Sequence, residues 1–213
     1  MTTTLDICAI PQHLVLTGVS WSYYEHTLKE INDRSIRVAF LDGMMEIMSI
    51  TPEHELASSA IADLIKALAV ELRIPRKSFG ATTFRREEKQ AGSEPDECFY
   101  FYDIDAYKGL KRFDPSIHRT PDLWVEVDIF NPSVPREPIY ARLGVPEVWR
   151  YNRERMVVRL LTPDGMYADS PASRAFPFLP IAPFASFIPK MIEGDESAVT
   201  LEFQQWVRGL GHS

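Results

Sequence analysis

A mixed β-sheet flanked by helices is the fold class this 213-residue sequence predicts, and three observations lead to it. Apolar residues recur every three or four positions in some segments and every second position in others, so both helices and half-buried strands are present. The two kinds of segment alternate, but without the regular strand–helix–strand rhythm of a doubly wound parallel sheet. The chain is 45% hydrophobic and 25% charged, the balance of an ordinary globular domain, with no internal repeat and no run of about 18 apolar residues that could span a bilayer.

The elements follow in order. Ser20 can cap a short helix over Trp21–Ile31 that Asn32 and Asp33 terminate. Ile36–Leu41 and Met44–Met48 read as two strands joined through Asp42-Gly43, a pair that tolerates the positive φ of a tight hairpin turn. The clearest helix runs over Pro52–Leu72, with Thr51 as cap, Pro52 at its first position and Glu53 in its first turn. Leu56, Ala60, Ile61, Leu64, Ile65, Leu68 and Leu72 give it one broad apolar face.

Lys77–Arg86 and Asp96–Tyr102 read as strands separated by the polar link EEKQAGSEP. A loop over Asp103–Thr120 precedes the strand PDLWVEVDI, a short helix over Pro138–Leu143 ends at Gly144, and strands follow at Glu147–Tyr151, Met156–Leu161 and Met166–Ala168. Pro177–Phe187 is apolar and proline-broken, and the last helix covers Thr200–Leu210.

Thirty acidic against 23 basic residues, a formal charge of −7, argue against non-specific coating of nucleic acid; a polyanion must be met locally. Two basic stretches, 66–89 and 108–119, are where phosphates would be met, or are ordinary surface. Two cysteines without a CxxC, and an N-terminus without a secretory pattern, lead us to expect a cytoplasmic protein with neither disulfide framework nor membrane anchor.

The strand at 122–129 carries the sharpest chemical signal. Leu123, Val125, Val127 and Ile129 fall on one face, and Asp122, Trp124, Glu126 and Asp128 on the other. Carboxylates two residues apart lie about 7 Å apart along a strand, so they converge on a cation or repel without one. Oxygen donors of this kind suit Mg²⁺ or Mn²⁺, which keep several waters and take few protein carboxylates. The alternation equally suits a salt-bridged, solvated sheet face, and a carboxylate pair acting on a glycoside is a third reading.

Four segments narrow this. EPDECFY at 94–100, PDLWVEVDI at 121–129 and IYARLGVPEVWRYN at 139–152, with DGMMEIMSITPEH from Asp42, resemble in order the Uma-two family of restriction-endonuclease-like proteins, which is similar in fold to the PD-(D/E)XK nucleases. The resemblance spans 42–161 and so suggests one nuclease-like domain over 1–213: an N-terminal helix and strand extension at 1–41, the core, and a C-terminal extension at 162–213. It implies a metal-dependent endonuclease acting on DNA, with Asp96 and Glu126 as ligands of Mg²⁺ or Mn²⁺.

The superfamily's lysine would fall at 128, where this chain has Asp128. Arg136 lies where related proteins place a migrated basic group, whereas Asp128 could be a further ligand. Glu94 and Asp122 are secondary candidates, as are Glu46 and His54, which resemble frequent family positions. The loss of the lysine also admits a module that keeps the fold, binds nucleic acid or assembles, and does not cut. Beside these stand plainer expectations: His54 neutral or facing solvent, Trp124 and the aromatics at 99–102 packed in the core, Cys98 a small core residue, Arg85 and Arg86 on a solvated surface. A homodimer is expected on symmetry grounds for an enzyme that cuts two strands, with the apolar segment 176–189 either its interface or an edge of the core.

Overall fold

The alternating segment after residue 35 forms a hairpin. Strands β2 (Ile36–Leu41) and β3 (Met44–Ser49) pair antiparallel with Ala39 opposite Glu46 and Phe40 opposite Met45. Asp42 and Gly43 take φ of 47° and 83°, the turn whose twist matches the strands it joins. The computed structural model describes residues 13–31, 35–110, 114, 118–128 and 134–211. Cys8, the helix stop at Asn32-Asp33, parts of the basic stretch 108–119 and Ile129 lie outside the described residues.

Where one sheet was expected, the described strands form two. The first has the order β1 (His13–Leu16), β3, β2, β6 (Ala91–Ser93), β5 (Phe84–Arg86) and is antiparallel throughout. The second has the order β11 (Tyr167–Ser170), β10 (Met156–Leu161), β9 (Glu147–Tyr151), β8 (Leu123–Val127), β7 (Glu97–Tyr100), β4 (Lys77–Ser78). Only β8 and β9 run parallel in it, and helix α3 (Arg136–Leu143) makes the crossover that such a pair requires.

The expected strand over 77–86 is broken, because the chain turns at Gly80, φ 58°, and passes from one sheet to the other. The segment read as a polar link contains β6, whose small residues have a reason. An ideal Cβ on Gly92 would lie 2.2 Å from the Tyr24 hydroxyl, and Tyr24, on helix α1 (Trp21–Glu30), is fully buried and stacked on Phe40. Gly92→Ala is expected to cost about 1–3 kcal/mol through overpacking, measurable by urea unfolding; an unchanged midpoint would refute the close approach.

Alternation assigns the faces of β2. Val38 and Phe40 pack with Tyr24 and Met45 under α1, while Ala39 and Leu41 point inward to a core shared with Phe84, Trp124, Ile139 and Tyr140. The first sheet, α3 and one face of the second sheet therefore enclose a common interior. The other face of the second sheet buries Leu123, Val125 and Val127 against helix α2 (Pro52–Glu71). Thr51 caps α2 by accepting from the His54 amide. Leu56, expected on its apolar face, is exposed; Ile61, Leu64, Ile65 and Leu68 form the buried stripe.

Helices α4 (Ile181–Ala185), α5 (Phe187–Glu193) and α6 complete that layer. The last, α6 (Glu196–Gly209), starts earlier than Thr200 because Asp195 accepts from the amides of Ser197 and Ala198. Phe176, Leu179, Phe184, Phe187 and Ile188 of the apolar 176–189 segment are buried in this core, whereas Phe178 is 42% exposed. No helix among the described residues is long and apolar enough to cross a membrane.

Candidate functional site

The register of β7 and β8 builds the site. Glu97 pairs with Val125 and Cys98 with Trp124, and one step further the same register sets Asp96 opposite Glu126. The Asp96 amide donates to the Val125 carbonyl at 3.1 Å. Its carboxylate Oδ2 accepts from the Val127 amide at 2.8 Å. Like charges directly opposite on a sheet repel, and here both are removed from water. Asp96 is 7% exposed, and although Glu126 as a residue is half-buried, its Oε1 has no solvent contact and no hydrogen-bond partner. Burial, and next the charge of Asp96, push the Glu126 carboxyl well above the ordinary carboxylate range.

Four further side chains are arranged around this pair. His54, in the first turn of α2, donates from Nε2 to Asp96 Oδ2 at 3.1 Å, with both side chains buried. His54 therefore does not face solvent: the N-terminus of α2 docks beside β7 and β8. Burial works against its charged form, but the hydrogen bond and charge of Asp96 outweigh it and hold its pKa above the usual value. Glu46 faces inward opposite Ala39, and there its Oε2 accepts from Arg136 at 2.8 Å. Arg136 at the start of α3 is close enough to Glu126 to act on its charge, and one turn later Tyr140 hydrogen-bonds the Glu126 carboxylate.

The polar face of β8 is therefore neither solvated nor a uniform acidic patch. Trp124 is fully buried in the inner core. Asp128 is turned toward Arg150, at 2.6 Å. Asp122 accepts from the amides of Phe101 and Tyr102 and pairs with Arg119, so it ties down the chain after β7 away from the Asp96–Glu126 pair. Glu94 accepts from the Thr83 hydroxyl and is pushed up by burial. Phe99, Tyr100 and Phe101 are core residues, whereas Tyr102 is 52% exposed. Cys98 is buried and donates to the Gly80 carbonyl, and burial pushes its thiol far up. Arg85 pairs with Glu25.

Among the described residues, no group of three or more His, Cys, Asp and Glu side chains is arranged as a complete metal cage. A hard divalent cation does not need one, since Mg²⁺ is usually held by one or two carboxylates and keeps waters and substrate oxygens for the rest. The orphaned Oε1 of Glu126 beside the Asp96 carboxylate fits that demand. Sequence reasoning passed over Tyr140, which a Trp124 contact at 5.2 Å holds in place. Its signal was present: Arg136 and Tyr140 are four apart on a helix and so share a face.

No curated protein matches the sequence. A crystal structure from Anabaena variabilis, described as a "putative nuclease belonging to DUF820", aligns at 14% identity with a TM-score of 0.45, over 84% of this chain and 96% of that one. The family model described as "Putative restriction endonuclease" matches residues 21–187. That span takes in the β7–β8 pair, the start of α2 and all of α3, and it places the chain in the Uma2 family.

Proposed function

We propose that this chain is a metal-dependent endonuclease that hydrolyses DNA phosphodiester bonds, with Asp96 and Glu126 holding Mg²⁺ or Mn²⁺. The observation that carries the reading is the buried cross-strand carboxylate pair, one of whose oxygens has no partner. A family described as restriction endonucleases supports it. The bound cation would polarise the phosphate and lower the pKa of a bound water.

The chain's own residues do the rest. His54 and the Val127 amide fix the direction of the Asp96 carboxylate. Tyr140 fixes that of Glu126. Arg136, anchored by Glu46, brings a positive charge to the side of the site that the superfamily's lysine serves from position 128, and there it offsets charge on the transferring phosphate. Asp128, engaged by Arg150, serves to orient that arginine.

Asp96→Ala should lower DNA cleavage by about a thousandfold or more, the loss of several kcal/mol of transition-state stabilisation, while circular dichroism stays unchanged. EDTA should do the same to the unaltered chain. Cleavage by Asp96→Ala at the original rate would overturn the assignment. Calorimetric titration that found no Mn²⁺ binding dependent on Asp96 and Glu126 would instead favour the non-cutting module.

A further inference from the structure

Asp96 lines a cleft of about 650 Å³, a volume within the roughly 300–1,000 Å³ of pockets that enclose single small ligands. Leu28 at the end of α1, Ile36 on β2 and Phe79 after β4 supply apolar wall. Arg37 on β2 and Lys66 on α2 supply two cations. Arg37 meets Glu55 at 3.8 Å and Lys66 meets Asp63 at 3.0 Å, the carboxylates being 57% and 44% exposed. The Lys66–Asp63 pair, 37% and 44% exposed, is worth little, and a phosphate can displace it.

The cleft is not a general polyanion groove. Glu94, Asp96 and Glu97 line it too, so charge alone offers a nucleic acid little until a divalent cation is bound. What remains is shape and apolar contact: a wall with a half-buried aromatic ring, beside hydroxyls and two cations. That combination suits a nucleobase with its phosphates better than a bare phosphate chain. Asp96, the reacting carboxylate that lines the cleft, is only 7% exposed. A paired duplex keeps its bases in the stack and out of such a pocket, so a nucleotide must leave the stack to enter it.

We propose that this cleft receives one nucleotide of an unpaired DNA strand, its base against Leu28, Ile36 and Phe79 and its phosphates toward Arg37 and Lys66, and that the preferred substrate is single-stranded or looped-out DNA. The proposal rests on the nuclease reading above and names the substrate form of that same site.

The test uses the full chain with Mn²⁺ and three DNAs of one sequence: single strand, closed duplex, and duplex with an unpaired internal loop. The unpaired and looped substrates should be cut at least about tenfold faster than the closed duplex. Ser59→Trp, at an exposed position on the cleft wall, should lower cutting of the single strand at least about tenfold. Phe79→Leu, which keeps apolar bulk but loses the ring, should also lower it. Both variants should bind Mn²⁺ with affinity unchanged by calorimetry.

Equal or faster cutting of the closed duplex, with Asp96 still required, would overturn this proposal and leave the nuclease reading intact. Single-strand cutting unaffected by both substitutions would do the same. No Asp96-dependent cutting of any substrate would remove the nuclease reading and the proposal with it.

Discussion

Glu126→Gln should abolish DNA cleavage and, with divalent cation removed, make the fold more stable at pH 8. In the cation-free protein this carboxylate is buried, faces Asp96 across the ladder, and leaves one oxygen without a partner. An incompletely compensated buried charge costs on the order of 1–3 kcal/mol or more. Glutamine keeps the volume and can still accept from Tyr140, but removes the charge. The expected gain is about 2–12 °C in melting temperature, at roughly 2–4 °C per kcal/mol for a chain of this size. A variant that melted at or below the original protein at pH 8 in EDTA would contradict the site's energetics.

The pH dependence gives this a second check. Glu126 in the folded chain holds its proton above the ordinary range, so the unfolded chain releases that proton first. Below about pH 4.3, the unfolded value, both states are protonated and no cost arises. Rising pH then favours the unfolded state until the folded carboxyl itself ionises. Stability in EDTA should therefore fall as pH rises above about 4.3 toward the raised folded value, and Glu126→Gln should flatten that slope. His54 contributes in the same sense: its folded pKa is raised, so its stabilisation is full below about 6.5 and lost as pH climbs through the folded value. The slope that survives Glu126→Gln is shared between His54 and the other buried carboxyls that burial pushes up, Glu94, Glu97 and Glu147. Added Mn²⁺ should stabilise the original protein and not the variant, because a ligand of the folded state acts by mass action only where it binds.

The reach of the sequence shows in which of these groups it found. Period-two alternation put Trp124, Glu126 and Asp128 on one face of a strand, and the resemblance tied Asp96 to Glu126. The site's axis was therefore legible before any coordinates. The division into two sheets was not, because its cause is a turn at Gly80 inside an otherwise strand-like run and a strand, Ala91–Ser93, too small and polar to read as one. His54 was placed toward water, as first-turn residues usually are. What buries it is the docking of one helix end on β7 and β8, a contact between segments some forty residues apart that no local pattern encodes. Tyr140 likewise looks like one more aromatic on a short helix until Glu126 lies beneath it.

Glu46→Ala should be the most damaging single change in the first sheet, lowering stability by about 3–5 kcal/mol. Glu46 is 1% exposed and pairs with Arg136, whose side chain is 12% exposed. Removing the carboxylate takes the Glu46 partner away from a mostly buried guanidinium. Out of a typical total of about 5–15 kcal/mol, a loss of that size brings much of the chain close to unfolding at 37 °C. Asp42→Ala removes a salt bridge of similar sequence separation, to Arg142, but both partners are well exposed, so its cost should stay below about 1 kcal/mol. Urea unfolding of the two variants side by side separates burial from mere pairing, and equal losses would undo the argument. Glu46→Gln, which can still accept from Arg136, separates anchoring from folding. If Glu46 acts on catalysis by holding Arg136, then Glu46→Gln lowers kcat in the original protein and has no further effect on Arg136→Gln, since two residues that act through one contact cannot contribute additively.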